Sequence, residues 1–252
     1  MVKTSWGEKL KKWRRAHEEQ YAKAIMSPPE HSTLLRAIPL PGVILIMGAK
    51  GMGKSALAHD IAEKLHKTKQ LPAVLHLPRV PPAIQKQIQS LLPSWNKVVT
   101  STEQWPKKCV VIYDEAAQSA HARRTQSGDA VELDNLMSIS RQRQQLIIFI
   151  SHHSRKLDPN VIRDIDRIAW KTPTYAHWIF ERNELTDFVL KAVDFFSKIK
   201  GEKTRLKTTL MMNFHDFRFQ EFSNGVPSYW CDRLSHLFED IKSTKKRGGG
   251  YF

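Results

Sequence analysis

The sequence predicts an α/β fold with a mainly parallel central sheet flanked by helices, plus a basic N-terminal helix and a small C-terminal α+β extension. Three observations carry this. Continuous apolar runs stand at 43–47, 110–113 and 146–150, as strands buried on both faces require. Segments with helical spacing stand between them, and alternating strands and helices build a parallel sheet through right-handed crossovers. A glycine-rich turn follows the first apolar run directly and opens a helix.

In chain order, residues 5–26 place Trp6, Leu10, Trp13, His17 and Tyr21 at steps of three and four, with lysines and arginines around the other face. That spacing predicts an amphipathic basic helix, and Pro28-Pro29 ends it. Prolines at 28, 29, 39 and 41 mark 27–41 as a linker. The core opens with the strand at 43–47, the turn, and a helix over 54–67 carrying Leu57, Ile61 and Leu65. A short strand at 74–77, a helix near 82–92 that begins with prolines, and a strand end at Val98-Val99 follow. Strands at 110–113 and 146–150 bracket a helix at 131–143. Beyond Pro173 the pattern changes: Asn183 caps a helix to about 200, with Leu185, Phe188, Val189, Ala192, Phe195, Phe196 and Ile199 as its stripe. Residues 217–222 suggest a late strand, 230–241 a last helix, and 242–252 have the composition of a flexible basic tail. The divisions are therefore 1–41, a core at 42–180, an extension at 181–241 packed on it, and the tail at 242–252.

With 252 residues the chain can bury one sizeable core. Forty Lys+Arg against 25 Asp+Glu give a net charge of +15, a field that favours a polyanion such as nucleic acid. Two cysteines, Cys109 and Cys231, exclude a disulfide framework; both read as small buried residues in a reducing, cytoplasmic compartment. No apolar stretch reaches the length of a membrane span, so no integral membrane segment is expected.

The turn is Gly48-Ala49-Lys50-Gly51-Met52-Gly53-Lys54-Ser55, followed by Ala56, and it spells G-x-x-x-x-G-K-S. A loop that wraps a triphosphate must turn its N–H groups inward, and glycine permits both the backbone conformation and the close approach. Lys54 then reaches the β- and γ-phosphates, and the Ser55 hydroxyl becomes a magnesium ligand. The fold class is accordingly a P-loop NTPase, with ATP and Mg2+ as the expected ligands. Sixty positions after Lys54, the strand at 110–113 ends in Asp114-Glu115. Strand carboxyl ends line the ligand crevice of a parallel sheet, so both carboxylates face the nucleotide. Asp114 suits magnesium beside Ser55, and Glu115 suits the attacking water. The next strand ends at Ser151-His152, where a polar side chain can sense the γ-phosphate. The histidines show no zinc spacing. The 119–128 segment, with Arg123 and Arg124 among small polar residues, reads as an exposed loop facing nucleic acid.

Residues 141–152, Arg-Gln-Arg-Gln-Gln-Leu-Ile-Ile-Phe-Ile-Ser-His, and 157–163, Leu-Asp-Pro-Asn-Val-Ile-Arg, resemble the FtsK/HerA group of DNA-pumping ATPases. The likeness is greatest to the genome-packaging ATPases of membrane-containing viruses and to zonular-occludens-toxin-like phage assembly ATPases. It covers about 42–172, and His152 stands where that group has glutamine. The resemblance implies a homo-oligomeric ring in which an arginine reaches the neighbour's γ-phosphate, with Arg141 and Arg143 as first candidates and Arg163 and Arg167 as second. It also implies a double-stranded DNA substrate, a capsid or portal partner, and transient association with a virus particle. The expected function is an ATP-hydrolysing nucleic-acid translocase that packages a genome. Two alternatives stand beside it: an AAA+ type DNA-loading or transposition helper, and an ATP-binding switch without productive turnover.

Overall fold

The chain is described by a computed structural model covering residues 22–23, 25–78, 80–114, 139–157 and 162–235. Among these residues one sheet contains β1 (Glu30–His31), β2 (Gly42–Gly48), β3 (Ala73–His76), β4 (Asn96–Val99), β5 (Val110–Asp114), β6 (Leu146–Ser151), β7 (Arg167–Lys171), β8 (Thr208–Asn213) and β9 (Phe219–Ser223). Their spatial order is β1-β9-β8-β7-β2-β6-β5-β3-β4. From β7 to β4 every pairing is parallel; β8 and β9 then join antiparallel beside β7.

All seven residues of β2 are buried, which explains why its sequence is apolar without alternation. Val43, Leu45 and Met47 face one layer, with α5 (Thr186–Ser197) packed over it through Phe188, Val189, Ala192 and Phe196. Ile44 and Ile46 face the other layer, covered by α1 (Leu34–Ala37), α2 (Lys54–Lys69) and α3 (Pro82–Gln89). Each such side chain contributes roughly 1.5–3 kcal/mol by leaving water. The remaining helices are α4 (Tyr175–Phe180), α6 (Glu202–Lys207) and α7 (Asp232–Ser235).

Several elements differ from the sequence reading. The proline-rich segment 27–41 holds β1 and α1 and buries Leu34, Ala37 and Ile38. Its prolines stand outside those two elements, where a missing N–H interrupts nothing. Strands β7 and β8 escape the apolar-run criterion because charged or hydroxyl residues end them. The helix expected from Asn183 starts at Thr186 instead, with Leu185 as its N-cap and no side-chain cap. Cys109 is buried and Cys231 only partly so, and both are free thiols. β8 and β9, which lie in the 181–241 extension, belong to the same sheet as the core. Most of the expected basic helix at 5–26, the helix at 131–143 before 139, and everything after 235 lie outside the described residues.

Candidate nucleotide site

Backbone conformation builds this site first. Gly48, Gly51 and Gly53 have φ of 144°, 78° and 79°, all in the region that side-chain-bearing residues rarely adopt. Gly48 also packs on β7: a Cβ added there would stand 1.8 Å from the Lys171 carbonyl oxygen. Gly53, left-handed at φ 79° and ψ 25°, is the N-cap of α2, so the chain turns into the helix with Lys54 and Ser55 as its first residues.

Lys54, itself buried, lays its Nζ across the loop and donates to the Gly48 and Ala49 carbonyls at 2.9 and 2.8 Å. His152 Nδ1 is 3.4 Å from the same nitrogen. The residue expected to sense phosphate therefore stands beside Lys54. Strand order explains why: β6 lies between β2 and β5, so its end falls between the loop and Asp114.

Asp114, buried at the end of β5, accepts a hydrogen bond from Ser55 Oγ at 2.9 Å. The 59-residue separation is closed by the fold, in which only β6 stands between β2 and β5. Two hard oxygen donors this close fit Mg2+, which takes few protein ligands and keeps water and phosphate for the rest. Among the described residues no cluster of three or more His, Cys, Asp or Glu is arranged for a metal. Glu115, Arg123 and Arg124 lie outside the described residues.

The candidate finger arginines lie elsewhere. Arg141 Nη2 is 2.7 Å from Asp166 Oδ1, and the Arg143 guanidinium bonds the Trp105 carbonyl. Both precede β6, whose first residue Leu146 pairs with Gly42, the start of β2. A seven-residue strand spans about 20 Å, so neither reaches its own chain's phosphate loop. Arg167 is at the same end, donating to Asn213 Oδ1 at 2.5 Å; burial holds its guanidinium below the ordinary value, with Asp166 opposing. Arg163 is exposed.

Two features were not foreseen. His153 and His177 stack with centroids 4.8 Å apart behind the loop, and Thr174 bonds His177 Nδ1 at 2.8 Å. Burial, then His153, lowers the His177 pKa. The second is Lys171, fully buried at the end of β7. Neither belongs to a motif, so no sequence signal marked them.

A glycine loop between a buried strand and a helix, with a lysine, a hydroxyl and a strand-end aspartate converging on it, defines a P-loop nucleoside triphosphatase. The chain belongs to the ATPase family associated with various cellular activities (AAA), whose model matches residues 44–173. Among curated proteins none matches the chain. Solved structures similar to it include the DNA-packaging ATPase B204 of Sulfolobus turreted icosahedral virus, at 15% identity, TM-score 0.47, and 73% and 98% coverage of this and that chain. The genome-packaging NTPase B204 of Sulfolobus turreted icosahedral virus 2 with AMPPCP is 14% identical over 74% and 99%, TM-score 0.49. The pCW3 conjugation coupling protein TcpA is 12% identical over 82% and 65%, TM-score 0.47. Among the described residues no helix is long and apolar enough to cross a membrane.

Proposed function

We propose that the chain hydrolyses ATP and uses the energy to move double-stranded DNA, as a subunit of a ring-shaped genome-packaging motor. The observation that carries the hydrolytic half is the Ser55–Asp114 contact at 2.9 Å beside Lys54 and His152. The loop amides and Lys54 hold the triphosphate, His152 stands where the γ-phosphate is read, and Glu115 orients and deprotonates the attacking water. Ser55 and Asp114 would hold a magnesium ion, which would supply charge neutralisation on the phosphates. Arg141 or Arg143, remote from their own loop, act on the neighbour's nucleotide.

For the DNA half, the support is the net charge of +15, together with Arg123 and Arg124 in the 119–128 segment that follows the Asp-Glu pair. The C-terminal segment favours a motor over a loader. It continues the sheet as the antiparallel pair β8–β9 where a loader of the AAA+ type carries a helical lid. A capsid or portal partner follows from the packaging reading. The decisive experiment is the ATPase rate with and without double-stranded DNA at two salt concentrations. Stimulation lost at high salt is expected from phosphate-backbone contacts; indifference to any nucleic acid overturns the reading.

A DNA-loading or transposition helper is the second reading, favoured by the AAA match over 44–173. It predicts DNA-stimulated ATPase activity without directional movement, which displacement of a triplex-forming strand from the DNA would separate.

A further inference from the structure

Lys171 is buried, yet no step of ATP hydrolysis uses it. Its Nζ donates to the Leu206 carbonyl, the Thr208 carbonyl and Asn224 Oδ1, each at 2.7 Å. Three acceptors around one nitrogen match the three N–H bonds of an ammonium. Burial pushes the amine down to about 7, with the Asp60 carboxylate opposing. Breaking such a set strands buried acceptors, a costly event.

The same residue touches the phosphate loop on two sides. Its carbonyl lies directly under Gly48, and its Cε is 3.8 Å from where a Gly53 Cβ would stand; the Leu206 side chain is at 3.9 Å from that point. Ala49 N–H reaches the Thr172 carbonyl at 3.4 Å. On the far side, Asn224 Oδ1 also accepts from Thr209 Oγ1 at 2.8 Å, and Asn224 N–H donates to the Lys207 carbonyl at 2.8 Å. The chain then turns onto α2. Gly225 N–H donates to Asp60 Oδ2 at 3.1 Å and Ser228 N–H to Glu63 Oε2 at 3.0 Å, both acceptors being buried carboxylates. Residues 206–228 therefore grip the loop from behind through Lys171, and the helix that leaves the loop through Asp60 and Glu63.

We infer that Lys171 is a positioning residue for the phosphate loop, joining it to the β8–β9 pair so that ATP binding and the order of residues 206–225 are linked. This rests on the loop binding ATP, as proposed above. Linkage is reciprocal: if ATP orders 206–225, loosening 206–225 weakens ATP. The effect falls on nucleotide affinity, because Lys171 lies behind the loop.

The test uses the full chain. In the wild type, amide hydrogen exchange at 206–209 and 224–225 slows when ATP is added; exchange unchanged by bound ATP overturns the inference. Lys171→Met and Asn224→Ala each raise the Kd for ATP by about ten-fold, within the range of ordinary couplings, while kcat at saturating ATP stays within about two-fold. The double variant is no worse than either single one, since both break the same link. Wild-type affinity in folded variants overturns the inference. Should Lys171→Met fail to fold, Asn224→Ala and the exchange measurement decide. A wild-type chain that binds no ATP overturns the reading of the loop itself, and the inference with it; flat exchange in a chain that binds ATP overturns the inference alone.

Discussion

Arg141 Nη2 and Asp166 Oδ1 meet at 2.7 Å at the end of the sheet opposite the phosphate loop. Asp166 is a hub there: its Oδ2 accepts from Val43 N–H at 2.8 Å, and His215 Nε2 lies 3.0 Å from Oδ1. The Arg141 side chain is 61% exposed, so the pair itself is worth less than about 1 kcal/mol. Arg141→Ala should leave ATP binding and folding intact but abolish turnover in the assembled protein. Asp166→Asn is the control, expected to keep turnover. Equal loss in both variants would show that Arg141 works by holding Asp166, and would remove it as a finger.

Gly48 and Gly51 separate close packing from backbone strain. A methyl at Gly48 meets the Lys171 carbonyl at 1.8 Å, and backbone cannot step aside as a side-chain tip can. Gly48→Ala should fail to fold or lose ATP binding. At Gly51 no atom among the described residues lies within 4 Å of an added Cβ, leaving only the φ of 78°. Gly51→Ala should fold with a loss of about 1 kcal/mol, read by urea unfolding.

Asp114, the last residue of β5, and Glu115, the next in sequence, should divide their work. Glu115→Gln should bind ATP with wild-type affinity and lose phosphate release by about 100-fold or more, the scale of a general base. Lys54→Ala should lose ATP binding. Phosphate release that persists in Glu115→Gln would place the base elsewhere, whereas no release in the wild type would favour a nucleotide switch.

Acid should unfold this protein through its buried imidazoles. Burial lowers His59 and His76 from 6.5 to about 4. The neutral rings are bonded: Trp105 Nε1–H donates to His76 Nδ1 at 3.1 Å, and His59 Nδ1 is 2.9 Å from Tyr229 Oη. Between these pKa values the unfolded chain binds more protons, so this stability is present above 6.5 and drains away as pH falls toward 4. Each ring should cost about 2–3 kcal/mol by about pH 4.5, measured as a falling denaturation midpoint. A midpoint flat across that window would contradict both assignments.

The loop was legible because its chemistry needs a fixed spacing along one segment, and Asp114 because it ends an apolar strand. β2, β5 and β6 were legible because burial on both faces leaves an unbroken apolar run. β7 was not: Arg167 and Lys171 close both of its ends, and its three inner residues make too short a run. Lys171 was invisible for a deeper reason. Its partners lie 35 to 53 residues away, and a lone lysine in a basic chain signals a solvated side chain until the tertiary fold removes the water.

Because β8 runs against β7, its first residue is at the phosphate-loop end of the sheet and its last at the arginine end. Thr208 offers its carbonyl to Lys171, while Asn213 faces Arg167, just before the turn that delivers His215 to Asp166. A six-residue strand is about 20 Å of stiff rod. That rod fixes the distance between Lys171 at one end of the sheet and Arg167 at the other.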